Sequence, residues 1–96
     1  MRRIYLVTYD IADDKRLRNV FKKMRGFGEH LQLSVFQCEL SDKERIRMIA
    51  ELTPLINHKE DQILIFTLGP AEGFNAKSTV ALGQPYAFVE RHAIVV

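Results

Sequence analysis

The chain has 96 residues, 47% of them apolar, and carries 14 Lys/Arg against 12 Asp/Glu, a net charge of +2 that is too small to indicate nucleic-acid binding by itself. The length predicts one domain, residues 1–96, with a core small enough to benefit from a second copy of the chain. The single cysteine excludes a disulfide framework and a cysteine-based zinc cluster, which favours a reducing, cytoplasmic location. We expect no secretory leader and no membrane span, because no apolar run approaches ~18 residues.

The first predicted elements are a strand over residues 3–10 and a helix that follows it. The strand is rich in β-branched and aromatic residues, and it ends at Asp10. A carboxylate at the end of a rigid strand is held in place and accessible to solvent, which suits a catalytic or binding role. The helix is predicted to be N-capped by Asp13 and to end near Gly26. Its outer face carries six basic residues in eleven positions with no acid among them: Lys15, Arg16, Arg18, Lys22, Lys23 and Arg25. A carboxylate beside such a face indicates a metal ion and a phosphate backbone, whereas the alternative is a turn cap beside an ordinary solvated surface.

The middle of the chain predicts a strand and a second helix. Apolar and polar residues alternate toward the end of residues 29–40, and no Gly, Pro or Asn interrupts this segment, so we predict one long strand. Ser41 and Glu44 form a capping box that opens the second helix. Pro54 lies inside the apolar pattern of this helix and predicts a break near Thr53.

The last third predicts a strand, a loop and a tail. Residues 61–68 contain four consecutive apolar residues, which is typical of a strand covered on both faces. A loop is predicted over residues 70–78. The tail, residues 79–96, ends in apolar β-formers that need a sheet edge, and we expect it to pair with a partner subunit. Alternating strands and one-sided helices predict an α+β fold of two layers, a ferredoxin-like plait.

Two stretches closely resemble a known family. They are Tyr5–Arg18 (YLVTYDIADDKRLR) and Gly28–Leu40 (GEHLQLSVFQCEL), within a likeness that runs from residue 4 to about residue 69. They resemble the second CRISPR-associated protein, the small subunit of the spacer-acquisition machinery in antiviral defence. The resemblance implies a βαββαβ plait with an extra C-terminal strand, assembled as a homodimer, and it divides residues 29–40 into two strands against the prediction above.

The resemblance also implies activity and site residues. Some members are metal-dependent endonucleases, and the family serves as the scaffold of the spacer integrase on duplex DNA. Asp10 matches the family's metal-binding aspartate. The positions linked with activity in the family are matched here by Tyr9, Arg16, Arg18 and Phe36. His30 stands where some members have an arginine, and an imidazole is a weaker phosphate clamp than a guanidinium.

A metal at Asp10 requires the dimer. Mg²⁺ takes oxygen ligands, usually one or two carboxylates with waters and substrate phosphate. Two copies of Asp10 meeting on a two-fold axis would supply two carboxylates, so we expect Mg²⁺ or another divalent cation at the dimer interface. Asp13 and Asp14 are expected to serve the helix cap and the helix dipole instead.

The sequence therefore predicts a nucleic-acid-binding endonuclease with Asp10 and Tyr9 as catalytic residues. Its expected nucleic-acid contacts are Arg16, Arg18, Lys22, Lys23 and Arg25, with Phe36 and His30 as further substrate contacts. Phe36 has core packing as its alternative role. A non-catalytic adaptor for the CRISPR integrase remains open as an alternative function, as do a toxin-like ribonuclease and a small-ligand regulatory module. The choice between single-stranded RNA and double-stranded DNA as substrate also remains open.

Overall fold

The computed structural model describes residues 1–86, which form a four-stranded sheet with two α-helices. The elements are β1 (Arg2–Asp10), α1 (Asp14–Arg25), β2 (Glu29–Gln32), β3 (Val35–Ser41), α2 (Asp42–Leu52) and β4 (Gln62–Pro70), with short 3-10 turns at Thr53–Leu55 and Ala76–Ser78. The sheet is antiparallel in the order β2-β3-β1-β4. This βαββαβ arrangement confirms the predicted ferredoxin-like plait.

The predicted C-terminal pairing falls mostly outside residues 1–86. Residues 79–86 form neither helix nor strand, and residues 87–96 lie outside the described residues. The pairing of this tail with a partner subunit therefore stays a prediction. Within residues 1–86, no helix is long and apolar enough to span a membrane.

The single strand predicted over residues 29–40 is wrong, and the division into two strands is confirmed. The chain reverses at Leu33, which is 92% exposed, so that β2 and β3 form an antiparallel hairpin with a register shift beyond His30. The backbone N–H of Tyr9 donates to the carbonyl oxygen of Ser34 at 3.1 Å. Because a tertiary hydrogen bond to β1 holds this turn, the turn needs none of the Gly, Pro or Asn residues that mark turns in sequence.

The core lies between one face of the sheet and the two helices. β1 contributes Tyr5, Val7 and Tyr9, the alternate residues that share its inner face. The rest of the buried cluster comes from the helices and from the segment between them: Val20, Met24, Phe27, Phe36, Cys38, Leu40, Met48 and Leu52. Cys38 is fully buried, as expected for a small core residue.

The helix ends follow the predicted capping residues. Asp13 caps α1, and its side chain accepts from the backbone N–H three residues further on. Ser41 and Glu44 complete a reciprocal capping box at α2, with bonds of 2.8 and 3.2 Å. At Leu52 the α-helix gives way to the 3-10 turn that contains Pro54, which confirms the predicted break.

β4 differs from the prediction of a strand covered on both faces. It is an edge strand, and its outward residues Leu64, Phe66 and Leu68 are 42%, 47% and 48% exposed. Consecutive apolar residues indicate that both faces of a strand are apolar, but the helices of this chain cover one face only. The other face is apolar and uncovered by the residues described.

Gly28 provides a test of the core. A Cβ atom there would lie 2.4 Å from the carbonyl oxygen of Gln37 and 2.5 Å from Sγ of Cys38. We expect Gly28→Ala to lower the free energy of unfolding by about 1–3 kcal/mol, because a tightly packed core resists added volume. Urea denaturation measures this change. Gly26→Ala is the control, since its Cβ would meet nothing closer than 3.4 Å. Equal stability of the two variants would contradict the packing described here.

Candidate metal and nucleic-acid site

Asp10 ends β1 and is exposed. It lies opposite Gln62 of β4 and shares a face of the sheet with Leu6 and Thr8. Its side chain forms no hydrogen bond or ion pair with residues 1–86, and Asp13 caps the helix that follows. Within residues 1–86, therefore, Asp10 does not cap the turn, and its carboxylate has no partner there.

The face that bears Asp10 is largely apolar, and we call it the open face. Its apolar residues are Leu6, Val35, Leu64 and Phe66, and it also carries the polar residues Thr8, Gln37 and Gln62. The cross-strand partners are Leu6 with Phe66 and Thr8 with Leu64, so β1 and β4 form a continuous apolar surface. An exposed apolar surface of this kind usually marks an interaction site.

The turn that follows Asp10 is held by Asp61, a residue that the sequence did not single out. The Asp61 carboxylate is completely buried and accepts hydrogen bonds from the backbone N–H groups of Ala12 (2.9 Å) and Asn57 (2.8 Å). It also accepts from Nε and Nη2 of Arg16, at 2.8 and 3.2 Å. The Arg16 guanidinium, assisted by the two backbone donors, holds the pKa of Asp61 far below its usual range against the opposing effect of desolvation.

Two of the predicted nucleic-acid contacts are engaged in ion pairs. Besides Asp61, Arg16 contacts Oε1 of Glu60 at 3.0 Å. Lys23 contacts Oε1 of Glu51 at 3.1 Å. These carboxylates come from α2 and from the segment before β4, and they offset the positive charge on that side of α1.

The other cations of α1 form what we call the unpaired stripe: Lys15, Arg18, Lys22 and Arg25. Their spacing places them along one side of the helix. Lys15, Arg18 and Lys22 are exposed and make no ion pair with residues 1–86. The guanidinium of Arg25 lies 5.7 Å from the ring centre of Phe21. The structure therefore concentrates the available positive charge of α1 on one side.

Tyr9, Phe36 and His30 meet in an aromatic cluster on the helical side of the sheet. Tyr9 is 6% exposed, its ring stacks on Phe36 at 6.3 Å, and its hydroxyl has no hydrogen-bond partner among the residues described. Burial raises the pKa of Tyr9. The His30 ring lies 5.0 Å from Phe36 and its Nε2 lies 3.0 Å from the carbonyl oxygen of Leu33. Phe36 is completely buried, so the exposed His30 is the member of this cluster that a substrate can reach.

The predicted catalytic pair is divided between the two faces of the sheet. Neighbouring residues of a strand point in opposite directions, so the Tyr9 ring lies in the core while Asp10 lies at the margin of the open face. Residues 1–86 contain no group of three or more His, Cys, Asp or Glu side chains that could hold a metal ion. A carboxylate suits Mg²⁺ chemically, but one carboxylate alone fills few of the positions of an octahedral ion, and the rest would have to come from waters, substrate phosphate or another chain.

Comparison with known proteins supports this architecture. A family model described as CRISPR associated protein Cas2 matches residues 1–75. The CRISPR-associated endoribonuclease Cas2 of Geobacter sulfurreducens is 44% identical over 96 residues, covering 100% of both chains. The CRISPR-associated endonuclease Cas2 of Halalkalibacterium halodurans is 33% identical over 95 residues, with 88% of this chain and 99% of that one covered. The crystal structure of Streptococcus pyogenes Cas2 superposes with a TM-score of 0.72 at 33% identity, over 83% of this chain and 99% of that one.

Proposed function

Because this chain belongs to the CRISPR-associated Cas2 family, we propose that it acts in spacer acquisition as a cytoplasmic, nucleic-acid-binding homodimer with divalent-cation-dependent endonuclease activity. The observation that carries the proposal is the exposed, unpaired Asp10 carboxylate at the margin of the open face. The names of the relatives support a nuclease, and the name endoribonuclease favours single-stranded RNA as the first substrate to test.

The homodimer is proposed from the open face. Leu64 and Phe66 are large apolar side chains that remain 42% and 47% exposed. The same face of a second copy would bury them, which is favourable for apolar surface. A two-fold interface is self-complementary, so residues near its axis meet their own copies. Asp10 lies on this face, and two copies could therefore approach each other across the axis. Pairing of residues 79–96 with the partner's sheet belongs to the same proposal.

The chemistry follows from two roles of the chain's own residues. The paired Asp10 carboxylates would bind Mg²⁺, which when bound lowers the pKa of a water and stabilises charge on the phosphate. The unpaired stripe would bind the nucleic-acid backbone without reading its sequence, because contacts to phosphate carry no sequence information. Tyr9, immobilised by its ring packing, would fix the end of β1 and with it the direction of Asp10.

The dimer predicts a specific response to a charge on the open face. We expect Phe66→Asp to weaken self-association by at least about 3 kcal/mol, roughly 100-fold in the dimer dissociation constant, because the interface would desolvate an unpaired carboxylate. The variant should also lose Mg²⁺-dependent cleavage. Sedimentation equilibrium measures the association. Ile46→Asp is the matched control, since Ile46 is 65% exposed but lies on α2, in the helical layer. A wild-type protein that stays monomeric at high concentration would contradict the proposal.

A non-catalytic adaptor for the CRISPR integrase is the second candidate. It is favoured by the unpaired stripe, which needs no metal to bind duplex DNA, and by the lack, within residues 1–86, of a group of three or more side chains that could hold a metal ion. The test is cleavage of labelled single-stranded RNA and duplex DNA by the wild type and Asp10→Asn, each with Mg²⁺ and with chelator. Cleavage that requires both Mg²⁺ and Asp10 supports the nuclease, whereas duplex binding without cleavage supports the adaptor.

A further inference from the structure

Asp61 accepts four hydrogen bonds from three residues. Both of its oxygens are occupied: Oδ1 accepts from Ala12 and Arg16, and Oδ2 accepts from Asn57 and Arg16. The side chain is 0% exposed, although it immediately precedes an edge strand. An ionised carboxylate tolerates such burial only because charged and backbone donors compensate for lost water.

The contacts of Asp61 involve the two segments next to Asp10. Ala12 lies two residues after Asp10 in the turn toward α1, and Asp61 holds its backbone N–H at 2.9 Å. Across the ladder, Gln62 is the direct partner of Asp10, and Asp61 immediately precedes Gln62. The Asp61 carboxylate therefore links the turn that follows Asp10 to the β4 strand that pairs with Asp10.

We propose that Asp61 is a positioning residue for Asp10. It uses Arg16 and the N–H of Ala12 to hold the β1–α1 turn in one conformation, and thereby sets the direction in which the Asp10 carboxylate leaves the sheet. This inference rests on the proposed metal-dependent function. A metal site shared between two chains is sensitive to such positioning, because displacing a metal-ligating side chain by about 1 Å has large effects on binding and rate.

The same geometry gives Arg16 a role different from that of the unpaired stripe. Its Nε and Nη2 both donate to Asp61, and Nη2 also donates to Glu60. These two donors are not available to a phosphate while Arg16 is paired with Asp61. Loss of Asp61 should therefore free the guanidinium and leave nucleic-acid affinity undiminished, which a general loss of structure would not do.

The experiment compares the wild type with Asp61→Asn, Asp61→Ala and Glu60→Gln. Mn²⁺ binding is measured by EPR titration, kcat and KM by cleavage of labelled RNA, and the exchange rate of the Ala12 amide by NMR. We expect the Asp61 variants to lose about 10-fold or more in Mn²⁺ affinity and kcat, as supporting residues of metal ligands do, with KM changed by no more than about twofold. Asp61→Asn should lose less than Asp61→Ala, because its amide oxygen can still accept from Ala12.

Two further variants separate positioning from folding. Glu60→Gln removes only the exposed partner of Arg16 and should match the wild type in every measurement. Ala12→Pro removes the donor in the turn while leaving Asp61 with Arg16 and Asn57, and it should reproduce the loss of Mn²⁺ affinity. Normal Mn²⁺ affinity in Ala12→Pro and in every folded Asp61 variant would overturn the positioning role alone. A wild type that binds no Mn²⁺ would overturn the proposed metal-dependent function, and this inference with it.

Discussion

Replacement of Asp10 by Asn is expected to reduce Mg²⁺-dependent cleavage by at least about 100-fold, which corresponds to the loss of about 3 kcal/mol of transition-state stabilisation. Asn keeps the shape of the side chain but removes the negative charge that attracts a divalent cation. In a dimer the substitution removes two charges from one site. The fold should be unaffected, because Asp10 is exposed and its side chain makes no hydrogen bond or ion pair within residues 1–86.

The measurement is the rate of cleavage of labelled single-stranded RNA and duplex DNA, with thermal unfolding and duplex affinity recorded on the same preparations. Asp14→Asn is the matched control: Asp14 is also exposed, but it lies in the first turn of α1 and should leave cleavage unchanged. The free energy of unfolding of Asp10→Asn should stay within about 0.5 kcal/mol of the wild type, as at other exposed positions. Full activity in Asp10→Asn would leave Asp10 without a catalytic role and favour the adaptor.

The second large effect is expected on the unpaired stripe. Arg18→Gln/Lys22→Gln/Arg25→Gln should weaken duplex binding by roughly two to three orders of magnitude near 0.1 M salt, because each phosphate contact contributes about eightfold there through counterion release. The slope of log K against log salt should fall by about 0.9 for each contact removed. Fluorescence anisotropy of a labelled duplex across a salt series measures both quantities.

Two adjacent lysines provide an internal control for this prediction. Lys22 is exposed and unpaired within the described chain, whereas Lys23 forms an ion pair with Glu51. Lys22→Gln should therefore reduce the affinity and the salt slope more than Lys23→Gln, although both remove one charge. Lys43→Gln/Lys59→Gln removes two exposed cations away from α1 and should leave binding unchanged. Equal effects of Lys22→Gln and Lys23→Gln would show that the division of charge on α1 does not govern binding.

Local patterns in the sequence were sufficient for the two helices, for β1 and for the two-layer plait, but not for the β2–β3 hairpin, which only the family resemblance divided into two strands. The period of the apolar residues located both helices and β1, because each element must turn its own apolar face to the core. Asp13 and the Ser41–Glu44 pair located the helix starts, since capping is a matter of a few adjacent residues. The position of Asp10 at the end of a strand was visible for the same reason.

The tertiary structure decided the features that depend on residues distant in sequence. The sequence shows six cations and no acid over residues 15–25, but it does not show that Glu51, Glu60 and Asp61 approach one side of α1. Nor does it show that β4 lies at the edge of the sheet. The apolar pattern of a strand is the same whether its second face packs against a helix or against another chain. The composition of a segment determines which groups it offers. Only the packing of segments about 30 to 50 residues apart determines which of those groups are neutralised and which stay open to a nucleic acid or to a second copy of the chain.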